Sequence, residues 1–265
     1  MKKIICLVFA ICLCFSTILL CTSCSNTSDL SKVKNNKVIY IGMTFYDPMD
    51  YLGEDGETIV GFDADLANDF AKSLGVDCKF VPIKWSNKVL ELNGGYIDLI
   101  WNGMTIGDEL GKSIDFSLAY ATNYQCVVVK DNVESYTSKD SLKTKKVAVE
   151  QGSAGDTVVT DLGIAPNRVN SQLDSLNEVL AGTSDCAVLD YTMAYSVVGK
   201  GNFANLKIVD ASKISFDQEL FGVGLRKGSD LKAKLDAFLK EKFSDGTLNK
   251  YAEKYGVALN EDTLK

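Results

Sequence analysis

Two hydrophobic periods alternate along the body of the chain. Short strand-like runs occur at Val38 to Ile41, which is apolar throughout, and at Val76 to Val81 and Ile97 to Trp101, which single charged residues interrupt. Between them apolar residues return every three or four positions, as on one face of a helix. The clearest case is Leu66, Ala67, Phe70, Ala71 and Leu74, which the sequence predicts as a helix capped by Asp63 and stopped by Gly75. A short helix is predicted near Asn87 to Leu92. A second cycle runs through Cys126 to Val129, Val147 to Val149, a helix after Gly155, a helix around Leu176 to Leu180, Cys186 to Leu189, a helix from Tyr191, and Leu206 to Val209. Phe221 to Leu225 then leads into two amphipathic helices, Leu231 to Phe243 and Thr247 to Tyr255, with Asp245 and Gly246 turning between them. This alternation predicts an α/β fold whose mostly parallel sheet is flanked by helices on both faces.

The first 23 residues follow a different pattern. Lys2 and Lys3 precede an uncharged apolar stretch from Ile4 to Leu20, which reads as an export signal. Residues 24–36 follow, and within them Ser25 to Asn36 is polar, has no apolar period and reads as a flexible tether. With two lysines before the apolar stretch, the N-terminus is expected on the cytoplasmic side and the remainder outside.

Composition narrows the chemistry. The chain carries 28 basic and 35 acidic residues, a net charge of −7, so a nucleic-acid partner is excluded for want of a basic footprint. There is no histidine, which removes every Ser-His or Cys-His nucleophile and the usual metal ligand. Five of the eight cysteines lie in or beside the export segment. The other three, Cys78, Cys126 and Cys186, are widely spaced in apolar runs and read as small buried hydrophobes rather than as a disulfide or zinc set. Neither a metal nor a cofactor is expected.

Four stretches together resemble the bacterial extracellular solute-binding proteins specific for polar amino acids, family 3. They are Ile59-Val-Gly-Phe-Asp-Ala-Asp-Leu66, Glu91-Leu-Asn-Gly-Gly-Tyr-Ile-Asp-Leu-Ile-Trp-Asn-Gly-Met-Thr-Ile106, Lys145-Lys-Val-Ala-Val-Glu-Gln-Gly-Ser153 and Asp245-Gly-Thr-Leu248. The resemblance implies a two-lobed periplasmic-binding-protein fold of type 2 with a two-strand hinge near Gln125 and Glu219. Lobe 1 would comprise residues 37–124 and 218–265, and lobe 2 residues 125–217. It also implies a monomer that closes over an amino acid or related amine and hands it to an ABC permease. Thr22, Ser23 and Cys24 resemble a lipobox, which implies a lipid on Cys24 and a place at the extracytoplasmic face of the membrane.

The same resemblance assigns ligand-binding positions. Asp190 matches the aspartate that pairs with the ligand ammonium, although after the run Cys186 to Leu189 it also reads as a helix N-cap. Gly103, Met104 and Thr105 match a turn that meets ammonium and carboxylate. Gln151, Gly152 and Ser153 match an anion-facing turn at a helix start. Tyr46 and Trp85 match rings that sandwich the ligand side chain, and Trp101 either lines the same pocket or closes the core beneath it.

Two departures leave selectivity open. Relatives carry an arginine that clamps the ligand carboxylate, and this chain has Leu110 there. Either amides, Thr105 or Lys112 replace that clamp, or the ligand has an ammonium without a carboxylate at this point. Thr44 and Phe45 stand where many relatives place a side-chain-reading aspartate. A ligand sensor docking on a membrane receptor and a lyase like cyclohexadienyl dehydratase share the fold and are the alternatives. Without histidine or the arginine, catalysis is not expected.

Overall fold

The computed structural model describes residues 28–134 and 136–265. The export segment and Cys24 lie outside the described residues. The first half contains α1 (Asp29–Asn36), β1 (Val38–Met43), β2 (Tyr51–Leu52), β3 (Ile59–Val60), α2 (Phe62–Leu74), β4 (Asp77–Pro82), α3 (Lys88–Asn93), β5 (Leu99–Thr105), α4 (Asp108–Gly111) and β6 (Ile114–Phe116). A long strand, β7 (Ala121–Lys130), leads to the second half: β8 (Val147–Glu150), α5 (Ala154–Asp161), β9 (Asn167–Val169), α6 (Gln172–Ala181), β10 (Cys186–Asp190), α7 (Tyr191–Val197) and β11 (Leu206–Ile208). The chain returns through β12 (Gln218–Arg226) and ends in α8 (Leu231–Ser244), α9 (Thr247–Tyr255) and α10 (Glu261–Leu264).

One sheet runs through both halves in the order β4-β1-β5-β12-β7-β10-β8-β9, with β6 on β12 and β11 on β7. The pairings β1 with β4, β1 with β5, β8 with β10 and β8 with β9 are parallel. Every antiparallel pairing in this sheet involves β7 or β12, the two strands that pass between the halves. They pair with each other from Gln218 opposite Tyr124 to Phe221 opposite Ala121. The expected parallel sheet is therefore present within each half, and its direction reverses only at the crossing strands.

Burial follows the sequence period. In α2 the residues Leu66, Ala67, Phe70 and Ala71 are buried, and Gly75 ends the helix in the left-handed region at φ 73°. The predicted cap is different, however. Gly61 is the N-cap, and the first helical amides donate to the carbonyls of Pro48 and Met49. A Cβ at Gly61, whose φ is 137°, would sit 2.2 Å from the Met49 carbonyl oxygen, so only glycine lets the two segments meet. With the orphan amides answered by backbone, the Asp63 carboxylate turns inward, where it accepts from Gly103 N–H at 2.6 Å and Tyr120 Oη at 2.9 Å.

The expected tether is corrected too. Residues 29–36 form α1, capped by Ser28, whose hydroxyl accepts from Ser31 N–H. The helix is held by one buried apolar residue, Val33, and by ion pairs from Asp29 to Arg226 and Lys32 to Asp98. A single apolar anchor has no period to detect, so its polar composition read as a linker. No helix among the described residues is long and apolar enough to cross a membrane.

Candidate functional site: a cleft between the two halves

Strand ends at the middle of the sheet define a cleft of about 640 Å³. This is where α/β sheets present ligand sites, because the loops after parallel strands diverge there. From the first half it is lined by Thr44, Tyr46, Trp85, Lys88, the segment 102–105 and Leu110, and from the second half by Glu150, Gly152, Ser153, Gln172 and Asp190. Glu219, on the returning strand, completes the floor.

Asp190 sits at the end of β10 and is only 6% exposed. Its backbone occupies the N-cap of α7, yet its side chain makes no capping bond. The carboxylate instead accepts from Asn123 Nδ2 at 2.7 Å, Gln125 Nε2 at 2.6 Å and Gln172 Nε2 at 2.5 Å. Glu219 accepts at Oε2 from Thr105, Asn123 and Gln125, so two acids share the amides of the crossing strand β7. Tyr46 and Trp85 both line the cleft. Gly103 lies in the left-handed region at φ 54°, and a Cβ there would meet the Tyr46 ring at 2.9 Å.

Trp101 and Gln151 are placed elsewhere. The Trp101 ring is fully buried beneath the cleft, edge-on to Phe70 and tilted against Tyr120, because it projects from β5 into the core. Gln151 is exposed, and its amide donates to the Val169 carbonyl. The anion-facing turn is also occupied internally. Gly152 N–H donates to Asp156 at 3.0 Å, Ser153 N–H donates to the Glu150 carbonyl, and Ser153 Oγ caps α5 by accepting from Asp156 N–H. Lys112, the other proposed substitute for the missing arginine, is mostly exposed and paired with Glu109.

Sequence reasoning missed Lys88, Glu150, Gln172 and Glu219 as cleft residues. Glu150 had a detectable mark: an acid closing the apolar run Val147 to Val149, as Asp190 closes Cys186 to Leu189. Lys88 is 5% exposed and donates across the cleft to the Gly152 carbonyl at 2.8 Å, with its ammonium 4.7 Å above the Trp85 ring. Ser196 of α7 likewise donates to Asp47 across the halves. The halves are therefore in contact over the cleft.

Burial dominates the electrostatics. It pushes Glu150 up to about 8, the Asp190 charge adding to this and Lys88 opposing it. It pushes Glu219 up to about 7, again with the Asp190 charge, against hydrogen bonds from Gln125, Thr105 and Asn123. Asp190 itself is raised by burial despite its amide donors, and burial lowers Lys88 to about 8. An acid that holds its proton more tightly folded than unfolded favours folding where it is protonated. This contribution is full below the ordinary carboxylate range near 4 and is lost as the pH rises to 7 or 8. The ligand-free protein is expected to melt at a lower temperature at pH 8 than at pH 5.5, while a cationic ligand, which needs the ionised acids, binds more tightly at pH 8. Scanning calorimetry and titration at both pH values check the two opposite trends.

Comparison with known proteins places this geometry. The family model of bacterial extracellular solute-binding proteins, family 3, matches residues 39–258. The chain belongs to that family. It is 32% identical over 232 residues to the L-cystine-binding protein TcyJ of Escherichia coli (strain K12), covering 85% of each chain. Among solved structures it is similar to an ancestral arginine-binding protein bound to arginine, at 34% identity, a TM-score of 0.75 and coverage of 83% of this chain and 98% of that one. It is also similar to an ancestral amino acid-binding protein described as a precursor of cyclohexadienyl dehydratase, at 30% identity, a TM-score of 0.78 and coverage of 86% and 99%. Family membership makes the chain a solute-binding protein, and the two-lobed α/β architecture is shared with these neighbours.

Proposed function

We propose that this family member captures an amino acid or related amine between its two lobes and delivers it to an ABC permease, held at the extracytoplasmic face by a lipid on Cys24. The observation that carries the reading is the buried Asp190 carboxylate at the floor of the cleft, beside the two strands that join the halves. An ammonium drawn from water needs an opposite charge to replace its hydration. Asp190, with Glu219 beside it, supplies that charge, and Tyr46 and Trp85 give the ligand apolar surface. Lobe 1, residues 37–124 and 218–265, and lobe 2, residues 125–217, turn about β7 and β12.

A relative that binds cystine and neighbours that bind arginine support an amino-acid-like ligand. The dehydratase reading fits less well. Prephenate brings two carboxylates, and this cleft has two buried acids, a half-buried third, one lysine and no arginine to receive them. A ligand sensor would use the same closure, and no particular feature of the cleft favours it. Mass spectrometry of the small molecule released when the purified protein is denatured tests the proposal. An amine-bearing compound at one per chain is expected, and a neutral sugar or a dicarboxylate would refute it.

A further inference from the structure

The cleft is rich in acceptors and poor in free donors. Thr105 Oγ1 is given to Glu219, Gly103 N–H to Asp63, and the amides of Gly152 and Ser153 to Asp156 and the Glu150 carbonyl. Leu110 offers no charge where a carboxylate would need one. Lys88 directs its ammonium to two carbonyls, Gly152 at 2.8 Å and Trp85 at 3.4 Å. Little is left to receive an anion.

Glu150 is the reverse. It lines the cleft, is 2% exposed, and its Oε1 is buried with no hydrogen-bond partner. It ends β8, which lies parallel to β10 with Ala148 opposite Ala187, so Glu150 and Asp190 emerge at the same end of neighbouring strands. The resemblance assigns no role to position 150. A buried carboxylate without a donor is unfavourable unless a proton, a cation or a hydrogen-bond donor completes it. Lys88 acts on it by charge but leaves Oε1 without a donor, since its hydrogen bonds go to carbonyl oxygens.

We infer that Glu150 is a second cation-binding group, so that the cleft selects compounds with two cationic nitrogens, one on Asp190 and one on Glu150, over neutral zwitterions. This assignment rests on the amine-capturing reading above. It names the ligand class as dications of modest length.

Calorimetric titration with two matched probe pairs tests it: L-arginine against L-citrulline, and 1,4-diaminobutane against butylamine. The wild-type protein is expected to prefer the dicationic member of at least one pair by about tenfold or more. Glu150→Gln, which keeps the shape and removes the charge, is expected to reduce that preference to below about threefold without weakening the other member of the pair. Glu150→Asp, shorter but charged, restores part of the preference, which separates charge from general damage. A wild-type protein that binds neither dication, or a Glu150→Gln variant that keeps the full preference, overturns the assignment. Asp190→Asn serves as the separate control. If it leaves every probe unaffected, the amine-capturing reading itself falls; if it abolishes binding while Glu150→Gln changes nothing, only the role of Glu150 is lost.

Discussion

Asp190→Asn is expected to lower affinity for the captured amine by about 2–5 kcal/mol, roughly 30-fold to several thousandfold, the range seen when one member of a buried charge pair is neutralised. The variant preserves the side-chain shape among Asn123, Gln125 and Gln172, so the loss reflects charge and not a cavity. Its unliganded form should lose far less stability than affinity, because relief of the buried charge offsets the cost of setting an amide donor against one of these three donors. Burial already pushes the Asp190 carboxyl above its ordinary range, which means the empty cleft strains against this charge. Affinity and stability therefore move apart, and titration calorimetry beside a melting curve separates a ligand-binding acid from a structural one.

The second large effect concerns folding. Arg226, at the end of β12, pairs with Asp29 at 2.7 Å and Asp98 at 3.2 Å and donates to the carbonyls of Leu92 and Ile97. Its guanidinium thus ties α1, the end of α3 and the start of β5 to the returning strand. Asp98 is almost wholly buried, so removal of Arg226 leaves that acid with Tyr40 N–H and, as its one remaining cation, the partly exposed Lys32. Arg226→Met is expected to cost about 3–5 kcal/mol, because the buried Asp98 and the partly buried Asp29 both lose their guanidinium partner, and to lower the melting temperature by roughly 10 °C. Arg226→Lys should recover only part of this, since an ammonium cannot make the same planar set of bonds. Chemical denaturation of the three proteins gives the order.

Much of the fold was legible because its elements are locally consistent. The run Cys186 to Leu189 is apolar throughout and forms β10, and Thr247 to Tyr255 is a helix with the bounds its period predicts. The strand β7 was legible only at its apolar centre. Its first half, Ala121 to Gln125, has polar residues at the buried positions 123 and 125 because it carries the amides that hold Asp190 and Glu219. Elements defined by long-range polar contacts escaped. The helix α1 buries a single valine, and its anchor, Arg226, lies 197 residues away. Asp63 looked like a cap because the local pattern of a cap and that of an inward-facing acid are the same. Only the Pro48 and Met49 carbonyls, brought in by the chain's turn, decide between them.

The site divided along the same line. Tyr46, Trp85, Gly103, Met104, Thr105, Ser153 and Asp190 converge on one cleft, whereas Trp101 sits in the core and Gln151 on the surface. Positions carried by a motif mark where the backbone passes and not which way each side chain faces. The acids Glu150 and Glu219 stand in apolar strands, where a single charge reads as an edge residue until the neighbouring strand is known. Gln172, which holds Asp190 through a hydrogen bond in each direction, is placed by helix α6, and no spacing rule connects the two.

Contacts across the cleft from Lys88 to Gly152 and from Ser196 to Asp47 describe halves that meet, and capture of an amine requires that they also part. Small-angle X-ray scattering of the protein stripped of its ligand and then saturated with it measures this most directly. A smaller radius of gyration is expected on saturation in the wild type, with no contraction in Asp190→Asn at the same ligand concentration. Superposable wild-type curves, or an equal contraction in the variant, would contradict capture by closure.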